Sequence, residues 1–313
     1  MSSADLGTMF GAKNMTTFFG VPACDDLASI DAKAAILGVP LATPYPSVGP
    51  YCAGAPQAIR AAIAPFSNSI GHVSFDIGEP IFAGDKPSVV DCGDLVLDAS
   101  APEANRQIIR QSVATILDRG AVPIVIGGDD SVPIPLFEAF AGRGEHTIVQ
   151  IDAHIDWRDE VDGERFGLSS NMRRASEMAH INKIVQIGQR AIGSARPGDL
   201  DDALRWGAEF FSGRTVAREG VEPALERIPR GSRVLISLDI DGMDPTVVPG
   251  VIGRAPGGLG YWQVVELIHG VAERAQIVAF DLVEFMPERD VDHLGAGVAA
   301  HLILNAIAAV HRA

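Results

Sequence analysis

An α/β protein built on a mainly parallel sheet, with helices covering both faces, is what this 313-residue sequence predicts. Three observations lead there. Short apolar, β-branched runs alternate with helical stretches along nearly the whole chain, the pattern of repeated βαβ units. Hydrophobic residues make up 47% of the sequence, ample for a core on each side of such a sheet. Two of the runs end in carboxylates at every second position, where open parallel sheets place their ligands.

Taken in order, residues 1–32 show no strong period and read as an N-terminal surface arm. Ala34–Val39 is a first buried strand. Residues 42–58, rich in Pro, Gly and Tyr, form a long loop, and Pro56 opens a helix near its first turn. Ser88–Val90 is a short strand running into a D-C-G-D turn at 91–94. From about Ala101 to Arg119 the apolar residues Ile108, Ile109, Val113, Ile116 and Leu117 recur at helical spacing, and Gly120 closes the helix. The strand Val122–Ile126, the G-G-D-D turn at 127–130 and a helix near Ile134 follow. Strands at 147–151, 183–188, 234–238 and 277–283 then alternate with helices near 172–180, 199–207, 219–228 and 261–274. No internal repeat or linker interrupts the series, so residues 1–313 read as one domain.

Composition narrows the function classes. Lys and Arg number 25 against 40 Asp and Glu, a formal charge of −15. Nucleic-acid binding requires basic patches and is not expected. A cationic substrate is compatible with this charge. No apolar run is expected to reach the length of a membrane span. Cys24, Cys52 and Cys92 are too few for a disulfide framework. They suit a reducing cytoplasm, each as a small buried apolar residue.

The chemistry concentrates at two strand ends. Residues 147–156 read T-I-V-Q-I-D-A-H-I-D, placing Asp152, His154 and Asp156 at alternate positions. In extended backbone such side chains point to one face and converge. Residues 234–244 repeat the device, with Asp239 and Asp241 after V-L-I-S-L. Structural zinc sites favour Cys and His, whereas this set is carboxylate-rich and suits a two-metal centre.

G-G-D-D-S at 127–131, D-A-H-I-D at 152–156 and S-L-D-I-D-G-M-D-P at 237–245 occur in the order and spacing of the ureohydrolase family of arginases, agmatinases and guanidinobutyrases. G-A-P-Q-A-I-R at 54–60, R-A-P-G-G-L at 254–259 and D-L-V-E at 281–284 fit as well. The chain most resembles the agmatinase-like bacterial branch. The resemblance implies a three-layer αβα sandwich, assembly as a homotrimer or homohexamer, and two Mn²⁺ ions per chain, with Ni²⁺ as the alternative. It implies hydrolysis of a small guanidino compound to urea and an amine. Asp152 and Asp239 would bridge both ions, His154 and Asp241 would complete one site, and Asp130 and Asp156 the other. Asp156 would also move the proton, and Glu284 would hold the substrate's guanidinium.

Two departures stand out. The family usually has histidine where this chain has Asp130, and Leu168-Ser169-Ser170 replaces a downstream His-Gly-Thr segment. They motivate a second reading, a weakly or non-catalytic subunit supporting an active partner in a hetero-oligomer. The second departure also points to a substrate other than arginine. Arg158, Asp159 and Asp162 lie on the same loop and fit either a pocket lining or surface charge. Trp157 fits either a pocket wall or ordinary packing.

Overall fold

The computed structural model describes Met9 and residues 16–82, 88–193 and 195–312. The strands are β1 (Ala34–Val39), β2 (Val73–Ser74), β3 (Glu79–Pro80), β4 (Val89–Asp94), β5 (Val122–Gly127), β6 (His146–Ile151), β7 (Ile181–Ile187), β8 (Glu209–Phe211), β9 (Arg233–Asp239) and β10 (Gln276–Val283). Helices α1 (Ala55–Ile63), α2 (Pro102–Asp118), α3 (Pro133–Glu138), α4 (Asn171–Ser176), α5 (Pro197–Trp206), α6 (Gly213–Glu219), α7 (Glu222–Leu225), α8 (Tyr261–Arg274) and α9 (Leu294–Arg312) connect or follow them. Five of the helices, α1, α2, α3, α5 and α7, carry proline in their first turn, where the missing N–H costs nothing.

Eight strands form one sheet in the order β4-β1-β5-β10-β9-β6-β7-β8, and each neighbouring pair is parallel. The hairpin β2–β3 is separate and antiparallel. Strands buried on both faces read as continuous apolar runs, and β6 and β9 do so for this reason. Alternate residues feed opposite cores. Val149, Ile151 and Ile236 join a cluster with Ile59, Val264 and Ile303 of α1, α8 and α9. Ile148 and Leu235 join the opposite cluster, with Val113, Phe137 and Met172 of α2, α3 and α4. This is the expected three-layer αβα sandwich with its parallel central sheet.

Several sequence expectations need correction. The D-C-G-D segment at 91–94 belongs to β4 rather than to a turn, because Asp91 and Asp94 pair with β1. Of the helix expected near 219–228 only the short α7 (Glu222–Leu225) forms, because the preceding helix α6 ends at Glu219 and Gly220 follows with a φ of +78°. In the stretch expected as a surface arm, Phe18 and Phe19 are buried, and the Phe18 N–H donates to Asp91 at 2.7 Å. Residues 1–8 and 10–15 of that stretch lie outside the described residues. The C-terminal helix α9 is long and apolar enough to span a membrane by length and composition, which the sequence reading overlooked. It is a core helix here, packed on α1 and α8. Of the cysteines, Cys52 is buried as expected, but Cys24 and Cys92 are only half-buried.

Candidate metal centre

Four adjacent strands at the middle of the sheet, β5, β10, β9 and β6, aim their carboxyl ends at one place. Asp130 follows β5, Glu284 follows β10, Asp239 ends β9 with Asp241 two residues on, and Asp152, His154 and Asp156 follow β6. Burial is nearly complete. Asp130, Asp152, Asp239, Asp241 and Glu284 are each at most 5% exposed. Tight backbone contacts bring the loops this close. A Cβ on Gly128 would lie 2.0 Å from the Pro40 carbonyl oxygen, and one on Gly242 would lie 2.7 Å from the Asp152 nitrogen. Asp156 and Glu284 adopt left-handed φ of 44° and 65°. Such strain costs about 1–2 kcal/mol for a residue with a Cβ and concentrates at functional sites.

Donor atoms fall into two trios, each with its oxygens or nitrogen within 4.8 Å of one another: Asp152, His154 and Asp241, and Asp130, Asp152 and Asp239. Asp152 is common to both. His154 Nδ1 lies 3.2 Å from Asp241 and 3.4 Å from Asp152. The strand-end loops also hold their own carboxylates. The Asp241 N–H donates to Asp239 at 2.7 Å, the Ala153 N–H to Asp241 at 3.1 Å and the His154 N–H to Asp152 at 2.5 Å. Asp156 stands outside both trios but shares an amide with Asp152, since Gln150 Nε2 donates to Asp152 at 2.6 Å and to Asp156 at 3.2 Å. Gln186, beside Gln150 on β7, donates to it in turn and to the Ile155 carbonyl at 3.0 Å.

Electrostatics identify what this cluster accommodates. Burial first, then mutual repulsion, pushes Asp130, Asp152 and Asp239 well above the usual carboxylate range. Burial, opposed by the Tyr51 hydrogen bond, pushes Glu284 up to about 8. Burial opposes a charge on His154, yet its bond to Asp241 lifts it to about 9. So many buried carboxylates are stable as anions only around compensating positive charge. Asp130 Oδ1 is buried without a hydrogen-bond partner, while Asn171, also buried, donates to its other oxygen. The donor set therefore fits hard divalent cations.

Besides Asn171, sequence reasoning missed four participants. Tyr51 lies on the 42–58 loop and donates its hydroxyl to Glu284. Gln150 and Gln186 sit inside strands, where a buried polar residue was the available signal. Arg190 donates to the carbonyls of Gly188, Asp241, Gly242, Met243 and Ala255, which ties the Asp241 loop to its neighbours. Trp157 is 2% exposed and packs 6.0 Å from Trp206, yet it also lines the cavity beside Asp156, so both readings hold. Leu168 and Ser169 line that cavity as well. His180 and His269 make structural bonds, to the Phe137 carbonyl and to Asn305.

Comparison with known proteins adds an independent line. A family model described as the arginase family matches residues 32–309. The mitochondrial arginase 1 of Oryza sativa subsp. indica is 32% identical over 298 residues, covering 91% of this chain and 84% of that protein. The guanidinobutyrase of Pseudomonas aeruginosa is 29% identical over 299 residues, covering 92% and 90%. Among solved structures, the proclavaminate amidino hydrolase from Streptomyces clavuligerus superposes with a TM-score of 0.82 at 26% identity, covering 96% of this chain and 98% of that one.

Proposed function

The chain belongs to the arginase family, and we propose from the geometry of its buried cluster how it hydrolyses a small guanidino compound to urea and an amine. The observation that carries this reading is the pair of donor trios sharing Asp152, assembled at the carboxyl ends of four neighbouring strands. Residues 1–313 act as a single ureohydrolase unit. Assembly as a homotrimer or homohexamer and a cytoplasmic location belong to the same proposal.

Asp152 and Asp239 would each serve both metal ions. His154 and Asp241 would complete one ligand set, and Asp130 and Asp156 the other. Mn²⁺ suits the oxygen-rich donors best, with Ni²⁺ as the alternative. When bound, the ions make water nucleophilic at neutral pH, as a resonance-stabilised guanidinium carbon demands. The chain's own residues do the rest. Glu284 holds the planar guanidinium by paired, charge-assisted hydrogen bonds. Asp156 accepts a proton from the attacking water and returns it to the departing amine. Gln150 keeps Asp156 and Asp152 in register through one amide. Water is limited by the burial of the site, and Trp157 and Leu168 line its approach.

The replacement of histidine by Asp130 removes no donor, because Asp130 keeps its place in a trio. That supports catalysis over a supporting-subunit role. A urea-release screen over several guanidino compounds, with Mn²⁺ or Ni²⁺, tests the reading. Turnover with at least one pairing is expected, and none with either metal overturns it.

A further inference from the structure

The cavity leading to the cluster bears on the substrate. It encloses about 170 Å³, and His154 and Asp156 line it together with Trp157, Leu168, Arg158 and Asp199. Its size leaves room for a short chain beyond the guanidino group. What meets that chain's far end is a matter of charge.

Arg158 is half-buried, and among the described residues it has no ion-pair partner. The other arginines of its loop and of α4 all have acidic partners. Arg165 lies 3.2 Å from Asp159, Arg174 lies 2.6 Å from Asp159, and Arg173 lies 3.5 Å from Glu177 and 3.4 Å from Asp202. Those pairs engage Asp159, Glu177 and Asp202, and Glu160, Asp162 and Glu164 of the same loop are not among the residues lining the cavity. Among the described residues no carboxylate comes within 4.0 Å of the Arg158 guanidinium. A partly desolvated cation without a counterion is unfavourable, and its planar fork matches a carboxylate in geometry. Asp199 faces the same cavity, but it sits in the first turn of α5, where the helix's free N–H groups already favour a negative charge. The charge left uncompensated is therefore positive.

We infer that Arg158 reads a carboxylate at the far end of the substrate, so that the preferred substrates are short guanidino acids. This rests on the ureohydrolase reading. The substrate is then dipolar, its guanidinium turned to Glu284 and the acidic cluster, its carboxylate to Arg158. An amine at the far end, as in agmatine, meets like charge and is disfavoured. Arginine brings a carboxylate but adds an α-ammonium for which Arg158 offers nothing.

The test is steady-state urea release by the metal-loaded enzyme with guanidinopropionate, guanidinobutyrate, agmatine and arginine. One guanidino acid should exceed agmatine and arginine in kcat/KM by roughly tenfold or more, the scale of a hydrogen bond to a charged group. Arg158→Ala should raise KM for the acids by a similar factor with less change in kcat, and Arg158→Lys should recover part of it. Arg158→Glu should invert the preference toward agmatine. A damaged fold lowers all substrates together and leaves that ratio unmoved. Agmatine or arginine preferred by the wild type, or an acid-to-agmatine ratio unchanged in Arg158→Glu, overturns the inference. No urea from any compound overturns the underlying reading, and this inference with it.

Discussion

The Tyr51 hydroxyl lies 2.7 Å from each carboxylate oxygen of Glu284, and the Asp130 N–H donates to the same carboxylate at 2.9 Å. A side chain with left-handed backbone, reaching in from β10, is thus fixed by two donors from other segments. Glu284 is oriented before any substrate arrives, which reduces the ordering that binding requires. Tyr51→Phe releases one of those donors. KM for the guanidino substrate should rise about tenfold, with kcat changed only severalfold. Steady-state kinetics check this, and an equal fall in both kcat and kcat/KM would place Tyr51 in the transition state instead.

Asp130 and Asn171 form a second such pair. Asn171 occupies one oxygen of Asp130 and leaves Oδ1 buried and free. Partners of this kind typically change metal affinity by about 10–100-fold. Asn171→Ala should weaken one of the two ions by that range while the other stays. Asp130→Ala should lose one ion and most activity, and Asp130→His should retain both. Metal content after dialysis decides. If the wild type holds a single ion, and the His variant gains a second ion together with activity, Asp130 is a lost ligand.

The acidic cluster was legible in the sequence because its residues follow their strands directly and share the strand's period of two. β1 matches its expected span of Ala34–Val39, β5, β6 and β10 deviate by a residue at one end, and β9 by a residue at each end. Tyr51 was not legible, since it belongs to a loop whose path is set by packing against distant strands. The same holds for Asn171, whose partner is 41 residues away. The helix α9 escaped notice because alanines fill much of its buried surface, so its periodicity is weak. Arg158 could be read both ways until its neighbours' ion pairs were visible.

His146 opens β6 at the end of the sheet remote from the cluster, 1% exposed and with both ring nitrogens unpartnered. It packs edge-on against Phe140 at 5.0 Å and His180 at 6.0 Å. Burial, with the charge of Arg233 second, holds it down to about 4. The fold therefore keeps His146 neutral. Its contribution is complete above the unfolded value near 6.5 and is lost as pH falls toward 4, by roughly 2 kcal/mol between about pH 7 and pH 5. Urea denaturation of wild type and His146→Leu at both pH values measures it. The stability difference between the two proteins should shift by that amount in favour of the variant at low pH, and a constant difference would contradict it.

The central claim is that the buried carboxylates hold the metal ions that make this chain a hydrolase of guanidino compounds. Asp239→Ala tests it most directly, with metal content by mass spectrometry and urea release measured on the same preparation. The wild type should hold two ions per chain and release urea, while the variant, still folded by circular dichroism, loses bound metal and activity together. A variant that retains both ions and normal turnover would contradict the account.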